Sequence, residues 1–373
     1  MTAAKVSPAP KVIRANHAGL REDSGRKTVE VSKSEIGIGA AAVALAGLAL
    51  FNVNRAKRSE GTTPRRGDLM RVDGVDLHFV ESDTSGPVIL LLHGNGTMLE
   101  DWFASGVFNE LSKSARVIAV DRPGFGYSTR PRGKIWSPAA QADLLALALR
   151  SLGADDITVV GHSFGTMVSI ELARRHPDLV HALVLMSGYY YPSARVGVLL
   201  ASIPAVPVIG DVDCYTVAPI FGAALRPMVE RKLFAPSAVA SSWSKFPYEM
   251  TLRPSQLRAE AAEAALMVPS AAKMAPHYGD LTIPVQLISG EGDRIVDHAS
   301  QSVRLASEVS TAKLTTLHGV GHMAHHTATD RVLHAIRQAI SEQSIIADVA
   351  DRATYKKLEI AEDAAARLEM EAG

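Results

Sequence analysis

The sequence predicts an α/β fold: a doubly wound, mostly parallel sheet of about eight strands with an inserted helical cap. Two observations carry this. From about residue 68, short apolar runs alternate with helical stretches, and one long interval, residues 189–282, breaks the alternation. The strand candidates are LMRV (69–72), VDLHFV (75–80), PVILLLH (87–93), RVIAV (116–120), ITVVG (157–161), ALVLMS (182–187), PVQLISG (284–290) and KLTTLH (313–318). The middle runs are continuously apolar, as strands covered on both faces must be. Helical stretches such as PAAQADLLALALRSLG (138–153) and TMVSIELARRH (166–176) separate them, which is the βαβ pattern of a doubly wound sheet. The first two runs meet at Asp73-Gly74, a tight-turn dipeptide that predicts an antiparallel hairpin.

The interval 189–282 is too long for a crossover. It holds Pro-punctuated apolar or helical pieces, VGVLLASIPAVPVIG, PIFGAALRPMVERKLF and PSQLRAEAAEAALMV. We read it as a cap over the carboxyl ends of the strands. Its apolar residues Val198, Leu199, Leu200, Ile203, Val206, Val208, Ile209, Ile220, Phe221, Leu225 and Trp243 are expected to divide between packing the cap onto the core and lining an apolar pocket.

The flanks differ from the core. Residues 1–35 are polar, without period, and read as disordered. Residues 36–53, IGIGAAAVALAGLALFNV, carry no charge, and Arg55, Lys57 and Arg58 follow. As a helix this run is roughly 27 Å long, close to a bilayer's hydrocarbon thickness. It predicts a single-pass N-terminal membrane anchor, with residues 54–67 as a linker. Preceded by a long polar segment, it does not resemble a cleaved signal peptide. Basic residues lie on both sides, with a slight excess after the run, so the positive-inside rule leans towards a cytoplasmic domain. The folded α/β domain spans 68–342, and the charged tail 343–373 reads as a solvated helix.

Composition sets further bounds. Lys+Arg and Asp+Glu are equal at 39 each, so no global basic field would attract nucleic acid. A lone cysteine, Cys214, precludes an internal disulfide and a cysteine-rich zinc cage.

Chemistry concentrates at the strand ends. GHSFG (161–165) follows ITVV and precedes a helical stretch, the context of a G-x-S-x-G nucleophile elbow. The sharp turn needs small residues at Gly161 and Gly165, and it lifts Ser163 above the sheet edge. A serine hydroxyl needs a base, and the base needs an orienting acid. Downstream in the order Ser, acid, His come Asp293, with Glu291 as its nearest competitor, and then His322 in the Gly-bordered loop GVGHM. HGNG (93–96) directly follows PVILLL. There the backbone N–H of Asn95, with that of Phe164, would form an oxyanion hole. The Asn95 side chain is either a third polar contact or a loop residue, and His93 orders the loop. DRPGFGYS (121–128) reads as a tight supporting loop braced by Asp121 and Arg122.

These motifs, in this order over residues 68–342, resemble the capped α/β-hydrolase fold family, in its esterase-, haloperoxidase- and epoxide-hydrolase-like branch. One departure is Thr166, where many members carry another glycine. The resemblance implies a cap inserted after the sixth strand and a cofactor-free serine mechanism. Ser163 in place of an Asp nucleophile argues against epoxide-hydrolase and dehalogenase chemistry. The expectation is a serine hydrolase acting on a carboxylic ester, with the anchor pointing to a lipophilic one, through an acyl-enzyme held by Ser163, Asp293 and His322. Thioesterase, acyltransferase, perhydrolase and carbon–carbon hydrolase activities, or a binding module that kept the fold, are the alternatives.

HGVGHMAHH (318–326) concentrates four histidines. His318 and His322 are spaced as metal ligands would be on a helix, but glycines and a strand end lie between them, so no metal is expected. His322 is read as the base, His318 as a strand end, and His325 and His326 as bystanders at the site's rim whose replacement would leave most activity.

Overall fold

The computed structural model describes residues 33–193, 205–206 and 208–341. The disordered segment expected over 1–35, save its last three residues, the tail 343–373, and Val198, Leu199, Leu200 and Ile203 lie outside the described residues. The chain divides into two units, Met1–Ala44 and Leu45–Gly373.

Eight strands form one sheet: β1 (Asp68–Val72), β2 (Val75–Glu81), β3 (Val88–Leu92), β4 (Arg116–Val120), β5 (Ile157–His162), β6 (Val180–Met186), β7 (Val285–Gly290) and β8 (Ala312–Leu317), in the order β1-β2-β4-β3-β5-β6-β7-β8. β1 and β2 form the expected hairpin, with Val72 opposite Val75. Asp73 and Gly74 both take positive φ, 45° and 77°, as the mirror-image turns that match strand twist demand. β2 pairs antiparallel with β4, and every later pairing is parallel.

Alternating side chains serve two layers. Leu90 and Leu92 of β3 join a cluster with residues of α4 (Pro138–Ser151) and α5 (Phe164–Arg175). Ile89 and Leu91 point the other way, to α2 (Glu100–Ala104), α3 (Val107–Leu111) and the helix of residues 329–341. Both faces are therefore covered, and the β3 run from Ile89 to Leu92 is completely buried. Each such Leu contributes about 1.5–3 kcal/mol. α4 starts where Ser137 accepts the Ala140 N–H at 3.2 Å and Pro138 takes the first helical position.

Between β6 and β7 the chain builds the cap from α6 (Ile209–Tyr215), α7 (Ala218–Phe234) and α8 (Pro254–Met274). Phe234, Trp243, Phe246 and Met250 meet Met98, Phe125 and Met323 in a third cluster that joins the cap to the core. Two expectations need correction. Val208, Ile209, Ile220, Phe221 and Leu225 are 38–72% exposed and lie outside the core, whereas Val206, 46% exposed, lines the cavity beside the loop after β4; of the described residues expected there, Trp243 alone is buried. And residues 54–62 are no linker. α1 (Lys33–Thr62) is one unbroken helix, because from the end of the apolar run onward it gains an inward face: Asn52 and Ser59, seven residues apart, are 2% and 4% exposed. The Asn52 amide donates to the Tyr215 and Thr216 carbonyls at 2.9 and 2.8 Å, and Arg55 pairs with Glu249 at 2.6 Å. Among the described residues α1 is the one helix long and apolar enough to cross a membrane.

Candidate active site

β5 ends at His162 and α5 begins at Phe164, leaving one residue for the turn. Ser163 takes φ 52° and ψ −119°, a conformation that costs a side-chain-bearing residue about 1–3 kcal/mol and persists where its surroundings enforce it. They do so here. The Ser163 N–H donates to the Met186 carbonyl at 2.9 Å, and the Ser163 carbonyl accepts from the Thr166 hydroxyl at 2.6 Å. A Cβ at Gly165 would lie 2.5 Å from the Leu92 carbonyl oxygen, and one at Gly161 would lie 2.5 Å from the Ser169 hydroxyl. The spacing of small residues around Ser163 is thus a packing requirement. Thr166 supplies a hydrogen bond that a glycine could not.

The loops after β7 and β8 bring Asp293 and His322 together. His322 Nδ1 lies 2.7 Å from Asp293 Oδ2. The other carboxylate oxygen, Oδ1, accepts the N–H groups of Ile295 and Val296 at 2.7 and 2.9 Å. The carboxylate is therefore aimed by backbone donors before the imidazole arrives. The His322 N–H in turn donates to the Leu233 carbonyl of the cap at 3.1 Å. The competitor Glu291 turns away to pair with His318 at 2.8 Å, and both are exposed.

The HGNG loop passes directly over the elbow: a Cβ on Gly94 would lie 3.1 Å from Ser163 Cβ. Asn95 Nδ2 donates to the main-chain oxygen of Glu260 in α8 at 3.1 Å, while its Oδ1 accepts the Gly96 N–H at 3.1 Å. Its side chain is therefore a loop-to-cap fastening. The buried guanidinium of Arg122 donates to the His93 and Gly94 carbonyls at 2.9 and 3.0 Å, to Gln141 Oε1 at 3.1 Å, and to Glu263 of α8. His93 accepts the Arg122 N–H on Nε2 at 3.0 Å, so its Nδ1 donates to the Gly94 carbonyl at 2.8 Å. Burial first, then the neighbouring Arg122 charge, push His93 down to about 3, and it stays neutral. Asp121 accepts from Leu99 N–H, Tyr127 N–H and His78 Nδ1 at 2.8, 2.9 and 2.5 Å. The 121–128 loop is the brace that its sequence suggests.

Two features were not legible in the sequence. One is Glu260, from an Ala- and Glu-rich helix whose charges show no preferred face. Its Oε1 would lie 3.2 Å from a Cβ on Gly96. Burial, then repulsion from Glu263, push its carboxyl up to about 7. The other is a sealed cluster behind the elbow, and it corrects the reading of His325 and His326 as rim residues. His325 is 0% and His326 8% exposed. His326 Nε2 donates to Asp101 Oδ1 at 2.7 Å, and its Nδ1 lies 2.8 Å from the Ser242 hydroxyl. His325 Nε2 is 3.1 Å from Asp101 Oδ2. Burial opposes ionisation of Asp101, but the two imidazoles more than offset it and hold the carboxyl well below its usual range. His162 links this cluster to the site. Its ring lies 4.5 Å from that of His325 and 4.9 Å from that of His322, and its Nε2 is 3.1 Å from the His322 carbonyl oxygen. Asp101, His162 and His325 bring three donor atoms within 4.8 Å of one another.

A cavity of about 840 Å³ opens elsewhere, between the loop after β4 and α8, lined by Arg130, Arg132, Trp136, Arg253, Arg258 and Leu266 among others. None of Ser163, Asp293 and His322 is among its lining residues.

The chain resembles known proteins in sequence and fold. The chain is 28% identical over 288 residues to a 2-hydroxymuconate semialdehyde hydrolase of Pseudomonas sp. (strain CF600), covering 74% of this chain and 92% of that one. An esterase from Thermogutta terrifontis superposes with a TM-score of 0.59 at 21% identity, covering 74% of this chain and 97% of its own. A membrane phospholipase A described as a bacterial virulence factor superposes with a TM-score of 0.57 at 19% identity, covering 83% of this chain and 98% of its own. Residues 87–329 match the family model of the alpha/beta hydrolase fold. With the sheet order, the elbow and that match, the chain belongs to the α/β-hydrolase fold family and is an α/β-fold hydrolase.

Proposed function

We propose that the chain is a serine hydrolase that cleaves a lipophilic carboxylic ester, with Ser163 as nucleophile, His322 as base and Asp293 as its orienting acid. The observation that carries the reading is the 2.7 Å contact from His322 Nδ1 to Asp293 Oδ2, on a loop whose His322 carbonyl lies 3.1 Å from Nε2 of His162, the residue before Ser163. That contact fixes the tautomer: with its proton on Nδ1, the imidazole presents Nε2 as acceptor. Ser163 Oγ attacks the ester carbonyl and His322 takes the hydroxyl proton. The oxyanion is received by the N–H groups of Asn95 and Phe164. Collapse expels the alkoxide, protonated by His322, and leaves the acyl group on Ser163. Water then loses a proton to His322, attacks the acyl carbon, and releases the acid and the free serine. No cofactor takes part.

Two lines of support favour a membrane-bound ester. α1 is long and apolar enough to serve as an anchor, and one structural neighbour is a membrane phospholipase A. A second reading, carbon–carbon bond hydrolysis, is favoured by the relative named a 2-hydroxymuconate semialdehyde hydrolase, 92% of whose length is matched.

A fluorophosphonate probe tests the nucleophile: it is expected to label the wild-type chain on Ser163 and to leave Ser163→Ala unlabelled. Equal labelling of both would overturn the assignment. A panel of esters of rising chain length beside vinylogous 1,5-diketones separates the two substrate readings.

A further inference from the structure

We infer that the outer face of the cap is a membrane-contacting surface, seated in the lipid headgroup region beside α1. The inference rests on the anchor reading above and extends it to the catalytic domain itself. The observation is the placement of apolar side chains that sequence reasoning assigned to the core or to a pocket. On α7, Val217, at its N-terminal boundary, Phe221, Leu225, Met228 and Val229 are 38%, 61%, 45%, 58% and 41% exposed. Their spacing of four, four, three and one puts them on one helical face, in a stripe about 18 Å long. On the neighbouring α6, Ile209 and Val212 are 65% and 49% exposed. Single exposed apolar residues are ordinary, but a continuous patch of them on adjacent helices marks a binding surface.

The occupant follows from what stands next to the patch. Asn52 is the penultimate residue of the uncharged run 36–53, and its amide binds the carbonyls of Tyr215 and Thr216. Those two carbonyls end α6, immediately before α7. The junction of the apolar cap helices is thereby held at the level where an inserted α1 leaves the hydrocarbon. Arg55, the first charge after the run, reaches Glu249 and the Pro219 carbonyl of the same region at 2.6 and 3.4 Å. On α1, Leu50 and Phe51, just before Asn52, are 66% and 58% exposed and extend the apolar surface. Lys57 and Arg58 on α1, and Arg231 and Lys232 at the end of α7, are exposed as well. Apolar side chains flanked by cations are what a helix lying in an anionic lipid interface presents. A water-facing cap would have no use for Phe221 and Met228 at its surface, and a protein partner would not require the patch to start where α1 becomes polar.

The test uses the full chain in nanodiscs of phosphatidylcholine and phosphatidylglycerol containing a doxyl-labelled lipid. Cysteines at Phe221, Met228, Leu45 and Leu147 are each labelled with an environment-sensitive fluorophore; all four positions are exposed, and the native Cys214 is buried. Leu45 reports α1, and Leu147, on α4, reports a face outside the cap. The expected result is quenching by at least twofold at Phe221, Met228 and Leu45, with Leu147 unquenched. Quenching at Leu45 without quenching at Phe221 and Met228 would overturn the inference and leave the anchor standing. No quenching at Leu45 would overturn the anchor reading and the inference together. As a second measurement, Phe221→Glu with Met228→Glu is expected to lower hydrolysis of a vesicle-borne long-chain ester about tenfold and to leave a soluble short-chain ester unchanged. An equal effect on both substrates would count against the surface.

Discussion

Two histidine–carboxylate constellations stand back to back, with His162 between them, and they use the same groups to opposite ends. In the first, Asp293 gives one oxygen to His322 and the other to two backbone N–H groups. Its imidazole meets that carboxylate through Nδ1, which leaves Nε2 as the nitrogen for the proposed base role. In the second, Asp101 gives both oxygens to imidazoles, and His326 spends its other nitrogen on Ser242. A carboxylate shared this way ties α2 to the loop after β8. The lesson is that residue type and neighbourhood do not separate the proposed catalytic pair from the buried cluster; what separates them is how the second carboxylate oxygen is engaged.

The largest effect that would break this contrast lies in the first constellation. His322→Ala, like Ser163→Ala, is expected to lower kcat by roughly 10⁴–10⁶-fold with little change in melting temperature, since residues acting as a unit fail together. Ester turnover with circular dichroism checks it. Loss of folding in place of activity would merge the two constellations into one structural network.

The second constellation should respond the other way. His326→Ala leaves the buried Asp101 charge short of a partner, and removing one side of such a pair costs about 3–5 kcal/mol. Urea unfolding should show that loss, while the fraction that remains folded, counted by fluorophosphonate titration, turns over within about tenfold of wild type. This replaces the sequence-based expectation that His325 and His326 are dispensable bystanders. If His326→Ala proved as stable as wild type but inactive, the sealed cluster would have a chemical role.

A smaller effect attaches to Glu260. Its carboxyl is raised from 4.5 to about 7 in the folded chain, so between these values the folded state holds a proton that the unfolded state has released. Stability therefore falls as pH rises across that window. Glu260→Gln should remove this share of the decline, so that its stability changes less than that of wild type between pH 4.5 and 7. Parallel curves for the two proteins in urea titrations would refute the shift.

The smallest effect is at the exposed decoy pair. Glu291→Gln and His318→Ala should each change stability by less than about 1 kcal/mol, as surface ion pairs do, and leave turnover unaltered. A strong loss of activity in Glu291→Gln would move the acid's role away from Asp293.

Much of this was readable from the chain. Each strand lies within two residues of its apolar run at either end, because burial on both faces forces continuous hydrophobicity. Ser163, Asp293 and His322 could be singled out as candidates because strand-end loops on one side of a parallel sheet converge, and the structure brings Asp293 and His322 into contact. The oxyanion hole proposed at Asn95 and Phe164 uses backbone donors, so the sequence offered a loop but no side chain to mark it. Asp101 could not be linked to His325 and His326 across more than two hundred residues of chain, since no local period encodes that contact. The cap was misjudged for a related reason. Val208, Phe221 and Leu225 are as hydrophobic as core residues, and hydrophobicity alone does not say which solvent, protein or lipid, a face is meant to meet.

The continuity of α1 has a mechanical consequence. Asn52 and Ser59 are seated seven residues apart, and the Thr63 carbonyl just past the helix receives the Tyr127 hydroxyl at 2.5 Å. The stretch from Asn52 to Thr62 therefore acts as a rigid spacer of about 15 Å with a defined rotational phase. Inserting a single residue between Asn52 and Ser59 would turn the two seats about 100° out of register, whereas inserting seven would restore the phase and lengthen the spacer by about 10 Å. Phase and length along this stretch are thereby set by the helix itself, and a change in either would have to be absorbed by the seats at Asn52, Ser59 and Thr63.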